Sequence, residues 1–270
     1  MSSAMRVSID SVQTITDVSK QPVLDLPLEM VLKVYDRRFA HLLREQHALD
    51  PATYESEKAY RRYLEADNVP DWESTLQILK EDQRSFKDCP KDLVEHYIMF
   101  LLELSPEDEF TVYNRLADLQ GRDIPIFFGK TELIEGLPID ERYPPVRGIL
   151  LEFIPGIPLD SIDPAKVDVD AVFRNAIRII DTYSDLGVLN EDVHLGNFIL
   201  KPNGSVVMID FAQSRLREDD ETDEKWRYNK HMADEEGAVG HAAKRYYNWD
   251  YKRRLKYSKF NWKPSGDSSH

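Results

Sequence analysis

Asp192, Asn197 and Asp210 are the residues of this chain best placed to do chemistry together. They lie in residues 187–214, GVLNEDVHLGNFILKPNGSVVMIDFAQS. Two short apolar runs, Phe198 to Leu200 and Val206 to Ile209, flank Lys201-Pro202-Asn203-Gly204, the signal of a hairpin with a loop of about five residues. Such a hairpin folds the chain back, so Asn197 and Asp210 emerge on the same side with Asp192 beside them. Three converging oxygen-bearing side chains are what a hard cation such as Mg²⁺ and a phosphate require. Taken singly, each residue reads as a turn cap. Their joint arrival around one hairpin sets that reading aside.

The order Asp-x-x-x-x-Asn, hairpin, Asp-Phe resembles the catalytic loop and metal-binding segment of the protein-kinase-like fold. Asp192-Val-His-Leu-Gly-Asn197 is closer to the aminoglycoside-phosphotransferase and choline-kinase branch, which favours D-x-H-x-x-N, and is also similar to a group of kinase-like proteins of filamentous fungi. The resemblance implies that Asp192 is the catalytic base or acceptor-orienting residue, Asn197 a metal ligand and Asp210 the main Mg²⁺ ligand. Two departures stand out: Asn190 where the pattern has His, and Ala212 where protein kinases have the Gly of Asp-Phe-Gly.

Residues 6–36 read as a small β-region, with Val7 and Ile9 alternating with polar neighbours and breaks at Gln21-Pro22 and Leu26-Pro27. Its last strand, Met30 to Tyr35, has Lys33 inside an apolar run, and alternation alone would send that lysine to solvent. The resemblance instead implies that Lys33 is the strand lysine that holds the ATP phosphates. Its partner would be Glu109, on a helix that Ser105 caps, Pro106 opens and Gly121 ends. Glu109, Val112, Tyr113 and Leu116 share one face of that helix, and Glu57 is the rival glutamate. The first glycine of the chain is Gly121, so the N-terminal region has no glycine-rich phosphate loop. Strands are expected at Ile124 to Phe128 and Ile149 to Ile154. The second runs on as a hinge in which backbone groups of Glu152, Phe153 and Ile154 would face adenine. Residues 168–186 form an amphipathic helix that Gly187 ends.

Residues 38–104 read as a charged helical insertion, with helices near 38–47, 52–66, 71–84 and 91–104 broken at Asp50-Pro51, Val69-Pro70 and Cys89-Pro90. Beyond Ser214, residues 217–224 read as a solvated loop, 232–247 as a helix, and the stretch from Tyr251 as a basic aromatic tail. The expected fold is therefore α+β and kinase-like in two lobes. Residues 1–154 make the first lobe, with the insertion at 38–104, and 155–270 make the second, mostly helical lobe.

At 270 residues, 41% hydrophobic and 31% charged, the chain is an ordinary globular protein. Its net charge of −14 argues against nucleic-acid and anionic-membrane partners. ATP is not excluded, since Mg²⁺ and a few cations meet its charge locally. Cys89 is the single cysteine, so no internal disulfide forms, which fits a reducing compartment, cytoplasmic or nuclear. Cys89 with His96 makes too thin a metal pair, and Cys89 reads as structural. Met1 to Thr16 does not read as a signal peptide, and the apolar run Tyr97 to Leu102 is too short to span a bilayer. The expected function is ATP- and Mg²⁺-dependent phosphoryl transfer to a hydroxyl of a small molecule or protein. The alternative is a pseudokinase serving as a nucleotide-binding or interaction module.

Overall fold

The alternation around Val7 becomes strand β1, Ser3–Ser8, antiparallel to β2, Glu29–Tyr35. These come from a computed structural model, which describes residues 3–8, 26–66, 68–81, 86–133 and 145–252. Residues 9–25 of the expected β-region, the basic tail beyond residue 252 and the end of the 71–84 helix lie outside the described residues. The chain is mixed α and β with small antiparallel sheets, and it divides into two units. One comprises Met1–Phe110 with Ile126–Phe153, the other Thr111–Pro125 with Ile154–His270.

In the first unit, β3, Phe127–Leu133, and β4, Val146–Glu152, complete a four-stranded antiparallel sheet in the order β1-β2-β4-β3. Lys33 pairs with Ile149, and Val34 with Gly148. Gly148 is required by packing: a Cβ there would stand 2.7 Å from the Lys33 carbonyl oxygen and 2.8 Å from Thr131 Oγ1. The expected strand at Ile124 begins later, at Phe127, because Ile124 is engaged in an isolated bridge to Gln120.

Three helices follow β2: α1, His41–Gln46, α2, Tyr54–Leu64, and α3, Trp72–Glu81. Thr53 starts α2 through a reciprocal capping box with Ser56. The next helix corrects the sequence reading. α4 runs unbroken from Lys91 to Arg115, so Ser105 and Pro106 lie inside it instead of opening a second helix. An interior proline costs about 3 kcal/mol. Against it stands one buried stripe, Val94, Ile98, Leu102, Glu109, Tyr113 and Leu116, that stays in helical phase across residues 105–106. Each large apolar side chain on it contributes about 1.5–3 kcal/mol, so the stripe wins.

Glu95 fastens α4 to the preceding helices. Arg44 grips both its oxygens, at 2.6 and 2.9 Å, and Arg37 donates to it at 2.7 Å while also pairing with Glu57. His96, the next residue, accepts from Tyr60 Oη at Nδ1 (3.0 Å) and donates from Nε2 to the Pro70 carbonyl (2.9 Å). With both ring nitrogens committed it is no metal ligand, and Cys89 is buried and in no disulfide.

The second unit is built on α5, Val169–Asp185. Asp168 caps it by accepting from the Ala171 amide at 3.1 Å, and its apolar face, Val172, Phe173, Ala176, Ile180 and Tyr183, is buried. Gly187, at φ +77°, turns the chain out of the helix where a Cβ would be strained. Two small sheets follow. β5, Ile157–Pro158, pairs with β7, Phe198–Leu200, which pairs with β8, Val206–Met208, while β6, Val188–Asn190, pairs with β9, Ser214–Leu216. Asp123 ties residues 111–125 to this unit: Arg178 donates to both its carboxylate oxygens, and its carbonyl accepts from the Met208 amide. Burial pushes the Asp123 carboxyl up, but Arg178 and Arg122 outweigh that and hold it below its ordinary value.

Residues 217–224 are mostly exposed, as expected, but pinned at one buried point. Glu221 is 5% exposed and takes both terminal nitrogens of Arg215 at 3.0 Å and Asn229 Nδ2 at 2.7 Å. Two helices then stand where one was expected: α6, Asp223–Ala233, and α7, Glu235–Tyr247, divided by Asp234 in the left-handed region. Among the described residues no helix is long and apolar enough to cross a membrane.

Candidate active site

In the second unit the hairpin forms with Phe198 opposite Met208 and Leu200 opposite Val206. The turn closes through the Gly204 amide to the Lys201 carbonyl at 2.9 Å. Asn197 ends a short 3₁₀ turn, Leu195–Asn197, just before β7, and Asp210 follows β8. A chain of hydrogen bonds joins the three expected residues. Asn197 Nδ2 donates to the Asp192 carbonyl at 2.9 Å, and the Asn197 carbonyl accepts from the Ile209 amide at 2.7 Å. Asn190 closes the circuit: its Oδ1 accepts from the Asp192 amide at 2.8 Å, and its Nδ2 donates to the Asp210 carbonyl at 3.0 Å.

Asp210 stands at φ +69°, a conformation that Asp tolerates better than most residues. Its Oδ1 accepts from the Ala212 amide at 3.0 Å, a local turn that Ala in place of Gly does not prevent. The intervening Phe211 is fully buried, edge-on to Tyr113 and Tyr183 with ring centroids 5.6 and 6.0 Å apart. That anchor sets the direction in which Asp210 leaves the strand.

Beneath the loop lies a buried ion pair that the sequence reading missed. Glu235 Oε1 accepts from the Asn190 amide and from Tyr183 Oη, both at 2.9 Å, while its Oε2 pairs with Lys230. Lys230 also donates to the Val188 carbonyl at 3.1 Å. Lys230 and Glu235 sit on different helices across the Asp234 break, a juxtaposition without a sequence signal. Asn190, by contrast, had one: an amide side chain two residues before Asp192 can bond backbone on both sides.

Donor chemistry decides whether Mg²⁺ fits. Asn197 uses its nitrogen on Asp192, which leaves its Oδ1 as the acceptor of that amide, and Asp210 adds a carboxylate. One amide oxygen and one carboxylate suit Mg²⁺, which takes few protein ligands and fills its octahedron with water and phosphate. Among the described residues no cluster of three His, Cys, Asp or Glu exists, so an all-protein cage of that kind is not among the options they offer.

In the first unit Lys33 Nζ lies 2.9 Å from Glu109 Oε1, with Lys33 4% exposed and Glu109 fully buried. The expected ion pair forms across 76 positions, while the rival Glu57 pairs with Arg37. Tyr35 Oη donates to Glu109 Oε2, a contact the sequence reading did not anticipate. At the expected hinge, the Glu152 amide donates to the Ile126 carbonyl at 2.8 Å, and its Oε2 accepts from the Ile126 amide at 3.1 Å. The Phe153 ring lies under the Arg6 guanidinium, 4.2 Å from centroid to carbon. Ile154 belongs to the second unit, where it packs with Ile199 and Val207 against Ile209.

No protein-family model matches the sequence, and no curated protein is significantly similar to it.

Proposed function

We propose that this chain is a phosphotransferase of the protein-kinase-like type, near the fungal kinase-like group and the aminoglycoside-phosphotransferase and choline-kinase branch. It uses ATP and Mg²⁺ and transfers the γ-phosphate to a hydroxyl of a small molecule or protein. In this reading Lys33, fixed by Glu109, binds phosphate oxygens. Asn197 and Asp210 hold Mg²⁺, and Asp192 orients the acceptor hydroxyl and takes its proton. Backbone groups of Glu152, Phe153 and Ile154 meet adenine. Mg²⁺, when bound, supplies neutralisation of phosphate charge, and the rest of the rate comes from positioning. A reducing compartment, cytosol or nucleus, suits the single thiol.

The observation that carries this reading is the hydrogen-bonded circuit through Asn190. It ties the backbones of Asp192 and Asp210 together through the Asn190 side chain and joins the Asn197 side chain to the Asp192 carbonyl.

Isothermal titration of Mg²⁺-ATP tests it. Binding is expected, with a rise in melting temperature that depends on Mg²⁺. Asp210→Ala should abolish the metal-dependent part, and an unchanged shift would move the metal elsewhere. Asp192→Asn should leave nucleotide affinity nearly intact and lower turnover by a large factor, because Asp192 acts on the acceptor in the transition state. If Asp192→Asn and the unaltered protein hydrolyse ATP equally slowly and no acceptor is labelled, the chain is a nucleotide-binding interaction module instead.

A further inference from the structure

We propose that Tyr35 is a positioning residue for the Lys33–Glu109 pair, its hydroxyl holding one carboxylate oxygen so that the other faces the lysine. Lys33 and Tyr35 are two residues apart on β2, so their side chains leave the same face of the strand, with Val34 on the other. Both reach Glu109, Lys33 at Oε1 and Tyr35 at Oε2. All three side chains are buried, so each carboxylate oxygen depends on a protein donor.

The type of donor matters. A second cation at position 35 would share the carboxylate's charge and loosen its hold on Lys33. A phenol satisfies the oxygen and limits rotation of the carboxylate without adding a second positive charge. The single strand β2 therefore supplies both the cation and the group that aims its counter-ion. The consequence for nucleotide binding rests on the function proposed above, but the aiming of Glu109 does not.

The test is Tyr35→Phe, which removes only the hydroxyl, beside Tyr60→Phe as a control. Tyr60 is another buried tyrosine of the same unit whose hydroxyl bonds His96 instead. The first readout is acetylation of Lys33 by acetic anhydride at pH 8, followed by peptide mass spectrometry. With Glu109 no longer held at its second oxygen, Lys33 is less firmly held and more open to the reagent. Labelling of Lys33 in Tyr35→Phe should rise several-fold over the unaltered protein. Tyr60→Phe should lower the melting temperature without changing Lys33 labelling. Equal labelling in Tyr35→Phe and the unaltered protein overturns the proposal, as does an equal rise in both variants. The second readout is Mg²⁺-ATP titration, in which Tyr35→Phe should weaken binding about tenfold. No binding by the unaltered protein overturns the phosphotransferase reading while the labelling result still stands.

Discussion

Asn190→Ala removes two side-chain hydrogen bonds from the loop and leaves the Asp192 amide and the Asp210 carbonyl short of a partner each. Both groups are only part-buried, so each sits toward the low end of the roughly 1–3 kcal/mol that an unsatisfied buried group costs. The variant should unfold at lower urea by that order, and its Mg²⁺-dependent melting shift should shrink more than in a control of equal stability loss. Measuring both separates loop geometry from general stability. At this scale Asp192, Asn197 and Asp210 were legible because oxygen-bearing side chains around a hairpin are rare as a set. Tyr35 was not legible, since a tyrosine in a strand is ordinary and only burial beside Glu109 gives its hydroxyl a task. Lys230 and Glu235 were equally silent, because each reads as one more surface charge until the fold buries both.

At the scale of elements, β2 and β4 approach so closely at Gly148 that the residue type is dictated. Gly148→Ala forces a methyl against the Lys33 carbonyl, which is backbone and cannot swing aside. Overpacking of this kind costs about 1–3 kcal/mol, so the melting temperature should fall by several degrees, read by circular dichroism. Nucleotide affinity should fall as well, since the carbonyl that must move belongs to Lys33. The strands and α5 were legible through alternation and a helical apolar stripe. The false break at Ser105-Pro106 shows a local signal overruled by burial on both sides of it. The helix α6 carried a readable start, Thr222 before Asp223 and Glu224, with the Thr222 hydroxyl accepting from the Lys225 amide at 3.2 Å. That start was hidden inside a run of charges. Glu221 belongs to the same run, and no pattern distinguishes the one carboxylate that Arg215 buries from its exposed neighbours.

For the whole molecule, pH is the informative variable. Burial depresses His96 and His47 below their ordinary value of 6.5 in the folded chain. A depressed group binds its proton more readily in the unfolded chain. The stability it contributes is therefore complete above about pH 6.5 and lost as pH falls through the folded value. The melting temperature should be flat from about pH 8 to 7 and decline below about 6.5, and His96→Gln should flatten part of that decline. Asp123 and Glu221, held below the ordinary carboxylate values of 3.8 and 4.5, act in a separate, more acidic window. A profile flat down to about pH 4.5 would show that neither histidine must stay neutral for the fold. Composition anticipated only the acidic net charge. Which histidines are enclosed by Tyr60, Phe86, Tyr97 and Phe100 depends on how the helices after β2 meet α4.

α4 carries Glu95 near one end and Glu109 near the other, and each is claimed by groups from the β2 side of the same unit: Arg37 and Arg44 at the first, Lys33 and Tyr35 at the second. The two carboxylates are separated by fourteen helical positions, about 21 Å along the axis. One residue inserted anywhere between them would turn Glu109 by about 100° relative to Glu95 and advance it by about 1.5 Å. Both sets of partners could not then be met at once. The count of residues from 96 to 108 is thus as much a part of this molecule's chemistry as the identity of either glutamate. Length variation in this protein's lineage should spare that span even where its individual side chains drift.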